Sequence, residues 1–182
     1  MKRLRRASVL VSLVDAMDEH DSWCGDTHVQ KACYFLQELL NVPLGFKFIL
    51  YKHGPYSFDL NDEMSALRAD EFLDIYVRES QYGPSYCLGN LASKLRQKFP
   101  KTSHRFSKQI LFVAETIGDK GVSELERLAT ALFVRLNEKE ELNVADAADV
   151  LTRYKPHVPT TMAVQAITRV DEIRNAVSNR FA

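Results

Sequence analysis

A seven-residue segment, YKHGPYS, concentrates the side chains of this sequence that are best suited to acid–base chemistry. It places Tyr51, His53 and Tyr56 around a glycine and a proline. Tyrosine and histidine can exchange protons with a substrate, and glycine lets the main chain approach one closely. Catalysis would also need a nucleophile or a pair of carboxylates at a defined spacing, and neither accompanies the segment. We therefore predict no catalytic residues and no enzymatic activity, and interpret the segment as a turn whose rings pack or contact a partner protein.

Cys24, His28 and Cys33 are the residues whose types could hold a metal ion. A structural zinc site needs four ligands, usually including a closely spaced pair such as Cys-x-x-Cys. The spacing Cys-x3-His-x4-Cys offers three candidates and no evident fourth. We predict no metal and no cofactor. The odd number of cysteines, three in all, is typical of a reducing, cytoplasmic compartment rather than of a secreted disulfide framework.

The hydrophobic pattern predicts the elements that carry these residues. Helical periodicity covers 4–19, 27–41 and 57–70, the last of them capped by its first residue, a serine. An aromatic and β-branched run over 46–53 predicts an extended strand, followed by a turn at its Gly-Pro pair. Two alternating runs within 71–90 predict a β-hairpin. This order of helix, helix, strand, helix and hairpin is that of a winged helix-turn-helix domain.

The remainder of the chain is predicted to be helical. A capping box, Ser123 with Glu126, marks the start of one of these helices. The predicted helices are 91–99, 104–118, 123–140, 144–154 and 160–181. We thus predict a mainly α fold with a small β element: a winged helix-turn-helix-like core over 1–90 and a helical C-terminal part over 91–182 packed on it, in a single domain. No apolar run reaches the length of a membrane span, so we expect no membrane association.

Acidic side chains dominate the helix that a winged helix-turn-helix protein would place in the DNA groove. Asp59, Asp62 and Glu63 are three of its carboxylates, and Arg68 is its single base. Carboxylates at this place would repel phosphates, which disfavours ordinary reading of the major groove. An acidic surface can instead select a protein partner of complementary charge. We therefore predict that these three carboxylates, together with Tyr51, His53 and Tyr56, face a partner protein.

Two other segments are basic, although the chain balances 24 Lys and Arg against 24 Asp and Glu. One is the N-terminus, and the other is 94–108, where no acidic residue occurs. They define an alternative function, a DNA- or RNA-binding regulator. The basic residues of this alternative are Arg3, Arg5, Arg6, Lys94, Arg96, Lys98, Lys101 and Arg105. A second interpretation of 94–108 is a solvated helical face that pairs with the acidic region 115–149.

Three longer motifs resemble a known family. The strings HVQKACYFLQELL, YKHGPYSFDLNDEMSAL and DVLTRYKPHVPTTMAVQAI are similar, in order and spacing, to the bacterial YwgA-like proteins and to the related phage-associated Panacea domain of SocA-like antitoxins. Lys31 and Tyr34 match a Lys-x-x-Tyr helix. The turn matches Tyr-Gly-Pro-Tyr-Ser, with His53 where tyrosine is commoner, and 155–157 matches Lys-Pro-His. The resemblance covers about residues 26–175.

The resemblance implies a fold and a class of function. It implies an α-rich fold with a small winged β element, and its best understood branch neutralises toxins through protein contacts. The expected function is therefore a non-enzymatic protein-binding module, antitoxin-like or associated with phage defence, in the bacterial cytoplasm. The expected partner is a protein such as a toxin or a defence effector, with nucleic acid as the alternative ligand. A homo-oligomer is compatible with the sequence.

Overall fold

A computed structural model describes residues 1–77, 83–138 and 142–181. The protein is mainly helical and contains two small antiparallel sheets, which confirms the prediction of a mainly α fold with a small β content. The helices and strands, in chain order, are α1 (Arg3–Glu19), α2 (Asp26–Tyr34), a π-helical turn (Phe35–Leu39), β1 (Ile49–Tyr51), β2 (Gly54–Tyr56), α3 (Phe58–Ala69), β3 (Leu73–Tyr76), β4 (Ser85–Leu88), α4 (Ala92–Lys98), α5 (Pro100–Ile117), α6 (Val122–Asn137), α7 (Val144–Tyr154) and α8 (Thr160–Phe181).

The chain forms two compact units. The first comprises Met1–Phe48 and Ser57–Lys120, and the second comprises Ile49–Tyr56 and Gly121–Ala182. The first hairpin thus belongs with the C-terminal helices, because β2 packs on α6. The predicted division near residue 90 does not coincide with either boundary. That all 182 residues act as a single domain stays a prediction.

In the first unit, α1 is the central helix. It packs against α5, α4 and β4, and most of its length is buried. Near its N-terminus the hydroxyl of Ser8 lies 2.8 Å from that of Ser103, in the second turn of α5. This contact holds the start of α1 beside the start of α5. In the second unit, α6, α7 and α8 pack on one another around an apolar core.

The helix ends show where local sequence rules suffice. Ser57 caps α3 as predicted, since its hydroxyl accepts a hydrogen bond from the N–H of Leu60 at 3.3 Å. The predicted capping box at Ser123 is wrong, because α6 begins one residue earlier, after Gly121, with no side-chain cap. Pro100 follows α4 as predicted and is also the first residue of α5, four residues before the predicted start.

The first hairpin corrects the predicted turn. β1 pairs with β2 in antiparallel register, Ile49 opposite Tyr56, so the turn residues are Lys52 and His53 rather than the Gly-Pro pair. Gly54 has a φ of 86°, a left-handed conformation that closes short hairpin turns and that glycine adopts without steric cost. The predicted extended segment therefore contains only the first strand, and the second begins at this glycine.

The second hairpin follows α3 as predicted. β3 pairs with β4 in antiparallel register, from Leu73 opposite Leu88 to Tyr76 opposite Ser85. Part of the predicted turn between them, 81–82, lies outside the described residues. The order of helices and hairpin agrees with that of a winged helix, whereas the winged helix-turn-helix arrangement itself stays a prediction. Within the described residues, no helix combines the length and apolar character that crossing a membrane requires.

Candidate functional site

The two basic segments meet in one groove of the first unit. The groove has a volume of about 610 Å³, and its cations are Arg5 of α1, Lys98 at the end of α4, and Lys101 and Arg105 of α5. Among the described residues that line it, none is acidic. We call this surface the basic groove. Segments that are far apart in the sequence thus contribute to a single cationic surface.

The start of α5 adds to the positive potential of the basic groove. Lys101 and Arg105 are four residues apart and therefore lie on the same face of this helix. The first turn of α5 carries no acidic residue and no side-chain cap, and three of its residues, 100–102, line the groove. The N-terminal end of a helix carries partial positive charge, so the helix favours an anion at the same place as the side chains.

The aromatic residues of the basic groove are part of its wall. Phe106 is buried, and the guanidinium carbon of Arg105 lies 5.3 Å from its ring centroid. Phe99 is half-buried. A nucleobase needs an exposed ring face on which to stack. The groove therefore suits contacts to a phosphate backbone better than contacts to bases.

Three predicted nucleic-acid-binding residues instead belong to ion pairs within the first unit. Arg3 Nε lies 3.0 Å from a carboxylate oxygen of Glu63, and Arg6 lies 2.7 Å from the other. Arg96 pairs with Asp15. Arg3 also lies 2.7 Å from a carboxylate oxygen of Asp70. Three carboxylates thus offset the three guanidinium groups, which leaves little net charge for phosphates. These ion pairs disfavour their predicted role in binding nucleic acid, which stays a prediction.

Lys94 is exposed on α4 but does not line the basic groove. It is separated from Lys98 by one helical turn, so both lie on one face of that helix. Of the eight predicted basic residues, the structure thus brings together four. These are Arg5, Lys98, Lys101 and Arg105.

Glu63 is likewise a structural residue rather than an exposed one. Its side chain is 7% exposed and accepts hydrogen bonds from both Arg3 and Arg6. The prediction that it faces a partner is corrected by this burial. Asp59 and Asp62 are exposed on the same helix, as a partner-facing role requires.

The predicted aromatic turn presents two of its three side chains to solvent. Tyr51 is 53% exposed, the side chain of His53 is 59% exposed, and Tyr56 is half-buried. The two tyrosine rings have their centroids 6.0 Å apart. The imidazole Nδ1 of His53 lies 2.9 Å from a carboxylate oxygen of Glu126, on α6. The turn is therefore attached to the helix on which its second strand packs.

Lys155 holds the turn in place, a role that reasoning from the sequence missed. Its ammonium group donates hydrogen bonds to the main-chain oxygens of Tyr51, at 3.1 Å, and Lys52. The residue is 7% exposed, and this burial lowers the pKa of Lys155, while Glu126 acts in the opposite direction. The second and third motifs of the family resemblance thus meet here. The sequence signal for this role is a lysine directly after an amphipathic helix.

Gln30 fixes the C-terminal end of the YKHGPYS segment, Ser57, within the first unit. Its buried amide donates to the main-chain oxygen of Ser57 and accepts from its N–H, both at 3.0 Å. Lys31 and Tyr34, the residues of the first motif, are also buried. Burial raises the pKa of the Tyr34 phenol well above its ordinary value. The first motif is therefore part of a core.

The cysteines do not form a metal site in the described part of the chain, where no group of three or more His, Cys, Asp or Glu residues could hold an ion. Cys24 and Cys33 are buried and are not linked in a disulfide. Burial raises the pKa of Cys33 far above the usual range, which disfavours the thiolate that metal binding needs.

The sequence matches no model of a known protein family, and a search of curated proteins finds no significant match. Charge, burial and geometry therefore carry the functional argument.

Proposed function

We propose that the protein is a non-enzymatic nucleic-acid-binding protein that contacts the phosphate backbone of DNA or RNA through the basic groove. The observation that carries the proposal is the convergence of Arg5 with Lys98, Lys101 and Arg105 around one groove, whose described lining residues include no carboxylate. Phosphate contacts dominate the affinity of most nucleic-acid-binding proteins.

A neutral chain can bind a polyanion when its cations are concentrated locally. The net charge of zero removes long-range attraction. Charges act over about 10 Å at moderate ionic strength, which is the scale of the groove rather than of the whole chain. Acidic residues elsewhere on the surface thus reduce the binding free energy only slightly once a phosphate lies in the groove.

The lining of the basic groove also limits which features of a nucleic acid the protein can recognise. The described residues that line the groove include no asparagine or glutamine, the side chains that pair with adenine. The phenylalanines of this lining are at least half-buried. Contacts to phosphates alone carry no sequence information. The proposed binding is therefore independent of sequence.

The salt dependence of binding tests this proposal. Four cations that each replace a counterion predict a slope of log K against log salt of roughly −3 to −4, with single strands at the lower end of the range. Fluorescence anisotropy with labelled duplex and single-stranded oligonucleotides of two unrelated sequences measures it. We expect equal affinities for the two sequences of each kind. No binding at about 50 mM salt would exclude the proposed function.

The first hairpin supports a second candidate function, binding of a protein partner. Tyr51 and His53 are exposed on a turn that Lys155 and Glu126 hold in one conformation. A preorganised, exposed aromatic residue loses little entropy on binding. The resemblance to antitoxins implies a toxin or a defence effector as the partner.

Affinity purification from the native host tests the second candidate. The wild-type chain should recover one partner protein in stoichiometric amount, and Tyr51→Ala combined with His53→Ala should lose it. Val122→Ala, an exposed apolar residue of the same unit, serves as the control and should retain the partner. If the wild-type chain is recovered alone, this candidate fails.

A further inference from the structure

A small pocket lies beside the first hairpin in the second unit. Its residues come from the first two turns of α6, from the connection between α7 and α8, and from the first turn of α8: Ser123, Glu126, Arg127, Lys155, His157, Val158, Pro159 and Met162. The volume is about 140 Å³, and a cavity of about 150 Å³ is known to hold benzene. We propose that this pocket binds the carboxylate group of a short, branched apolar acid, either free or as the C-terminal residue of a polypeptide.

The fixed charges of the pocket favour an anion. Arg127 and Lys155 contribute two cations and Glu126 one carboxylate, which leaves one positive charge before the histidine is counted. The Glu126 carboxylate is already engaged by the imidazole of His53 at 2.9 Å. Within the described residues, Arg127 makes no ion pair. Its guanidinium group is therefore available to a ligand.

The ammonium group of Lys155 is the buried charge of this pocket. It has three N–H donors, and two of them are used by the main-chain oxygens of Tyr51 and Lys52. For the third, the described part of the chain offers no hydrogen-bond acceptor, and Lys155 is 7% exposed. Burial makes this charge costly, and Glu126 offsets that cost only in part, because the pKa of Lys155 is still lowered. A carboxylate in the pocket would offset more of it with a charge-assisted hydrogen bond.

Two helix N-termini reinforce the charges of the side chains. Ser123 lies in the first turn of α6, which has no side-chain cap, and Pro159 and Met162 flank the start of α8. Helices of 16 and 22 residues carry partial positive charge at these ends. These two helix ends thus add partial positive charge to that of the two cations, and Glu124 in the first turn of α6 opposes one of them.

The rest of the pocket requires an apolar ligand group. One wall of the pocket is apolar and consists of Val158, Pro159 and Met162. Inorganic phosphate or sulfate would lose hydration against this wall without gaining hydrogen bonds in return. The volume accommodates a branched chain of the size of a valine or leucine side chain. A branched carboxylate satisfies both halves of the pocket. Capture of a C-terminal carboxylate is a known mode of peptide recognition.

Isothermal titration of the full chain tests the proposal with four probes. These are isovalerate, an acetylated tripeptide ending in valine with a free carboxylate, the same peptide as its C-terminal amide, and inorganic phosphate. We expect saturable binding of at least one carboxylate probe, with the amide at least about tenfold weaker than the acid and phosphate weaker than isovalerate. Tighter binding of the peptide acid would assign the site to polypeptide termini, and tighter binding of isovalerate to free acids.

Variants locate the binding. Arg127→Gln should weaken the carboxylate probes at least about tenfold, and Met162→Trp, at the rim, should fill the pocket and prevent binding. Arg169→Gln on α8 lies outside the pocket and should leave binding unchanged. Equal affinity for acid and amide, tighter binding of phosphate, or no binding of either carboxylate by the folded wild-type chain would overturn the proposal. These outcomes are independent of the basic groove.

Discussion

Reversing three charges of the basic groove, with Lys98→Glu, Lys101→Glu and Arg105→Glu combined, should lower the affinity for nucleic acid at least about a hundredfold. Each substitution removes one phosphate contact and adds one repulsion. The salt dependence should decrease at the same time, because Arg5 alone remains of the four basic side chains among the described residues that line the groove. Fluorescence anisotropy over the same salt series measures both quantities.

The fold should tolerate this triple variant. All three side chains are exposed, and α5 carries no acidic residue in its first turn. A glutamate at position 101 interacts favourably with the positive end of the helix dipole. Thermal unfolding of the variant should therefore occur close to the wild-type temperature. Loss of binding can then be assigned to the surface rather than to unfolding.

A matched triple reversal separates the groove from net charge. Lys52→Glu, Arg68→Glu and Arg153→Glu change exposed residues that do not line the groove, and they alter the net charge of the chain equally. We expect this control to lose less than about tenfold in affinity, through long-range electrostatics alone. If both triple variants lose affinity to the same extent, the basic groove is not the binding surface.

The second large effect is expected in stability. Glu63→Ala should lower the free energy of unfolding by about 2–3 kcal/mol. The substitution removes the charge-assisted hydrogen bonds of Arg3 and Arg6 from a residue that is 7% exposed. Arg6 would then retain its bond to the main-chain oxygen of Leu44 at 3.4 Å and its approach to the Phe46 ring. The figure is below that of a fully buried pair, because the Arg3 side chain is 45% exposed.

Asp62→Ala is the control for this prediction. Asp62 precedes Glu63 on the same helix but is exposed, so the substitution should change stability by less than about 0.5 kcal/mol. Urea denaturation of both variants gives the two free energies, provided that the slope with denaturant stays constant. A loss of stability that is equal in the two variants would contradict the structural role of Glu63.

Local patterns predicted most of the helices, because helix formation reflects the spacing of apolar residues along a short stretch. α1, α7 and α8 begin and end within one residue of their predicted bounds, and the hairpin after α3 was also predicted. The first hairpin was predicted only in part. Its second strand contains a glycine and a proline, residues that usually signal a turn, and it is ordered by packing on α6.

The composition of the candidate site was also visible in the sequence. The basic stretch around residues 94–108 and the aromatic turn were both predicted as surfaces, and Tyr51 and His53 are exposed. Lys155 belongs to a sequence motif that does not by itself indicate its role. Its hydrogen bonds join positions about a hundred residues apart, and no local pattern encodes a contact of that kind.

The residue types, their periodicity and the zero net charge thus establish a mainly helical protein with local concentrations of charge. Tertiary structure alone decided which of those charges face a groove and which are paired with another side chain. Arg5 and Arg6 are neighbours in the sequence, yet Arg5 lines the basic groove and Arg6 pairs with Glu63. The physical reason is that electrostatic interaction depends on distance in space and on burial, and folding sets both independently of separation along the chain.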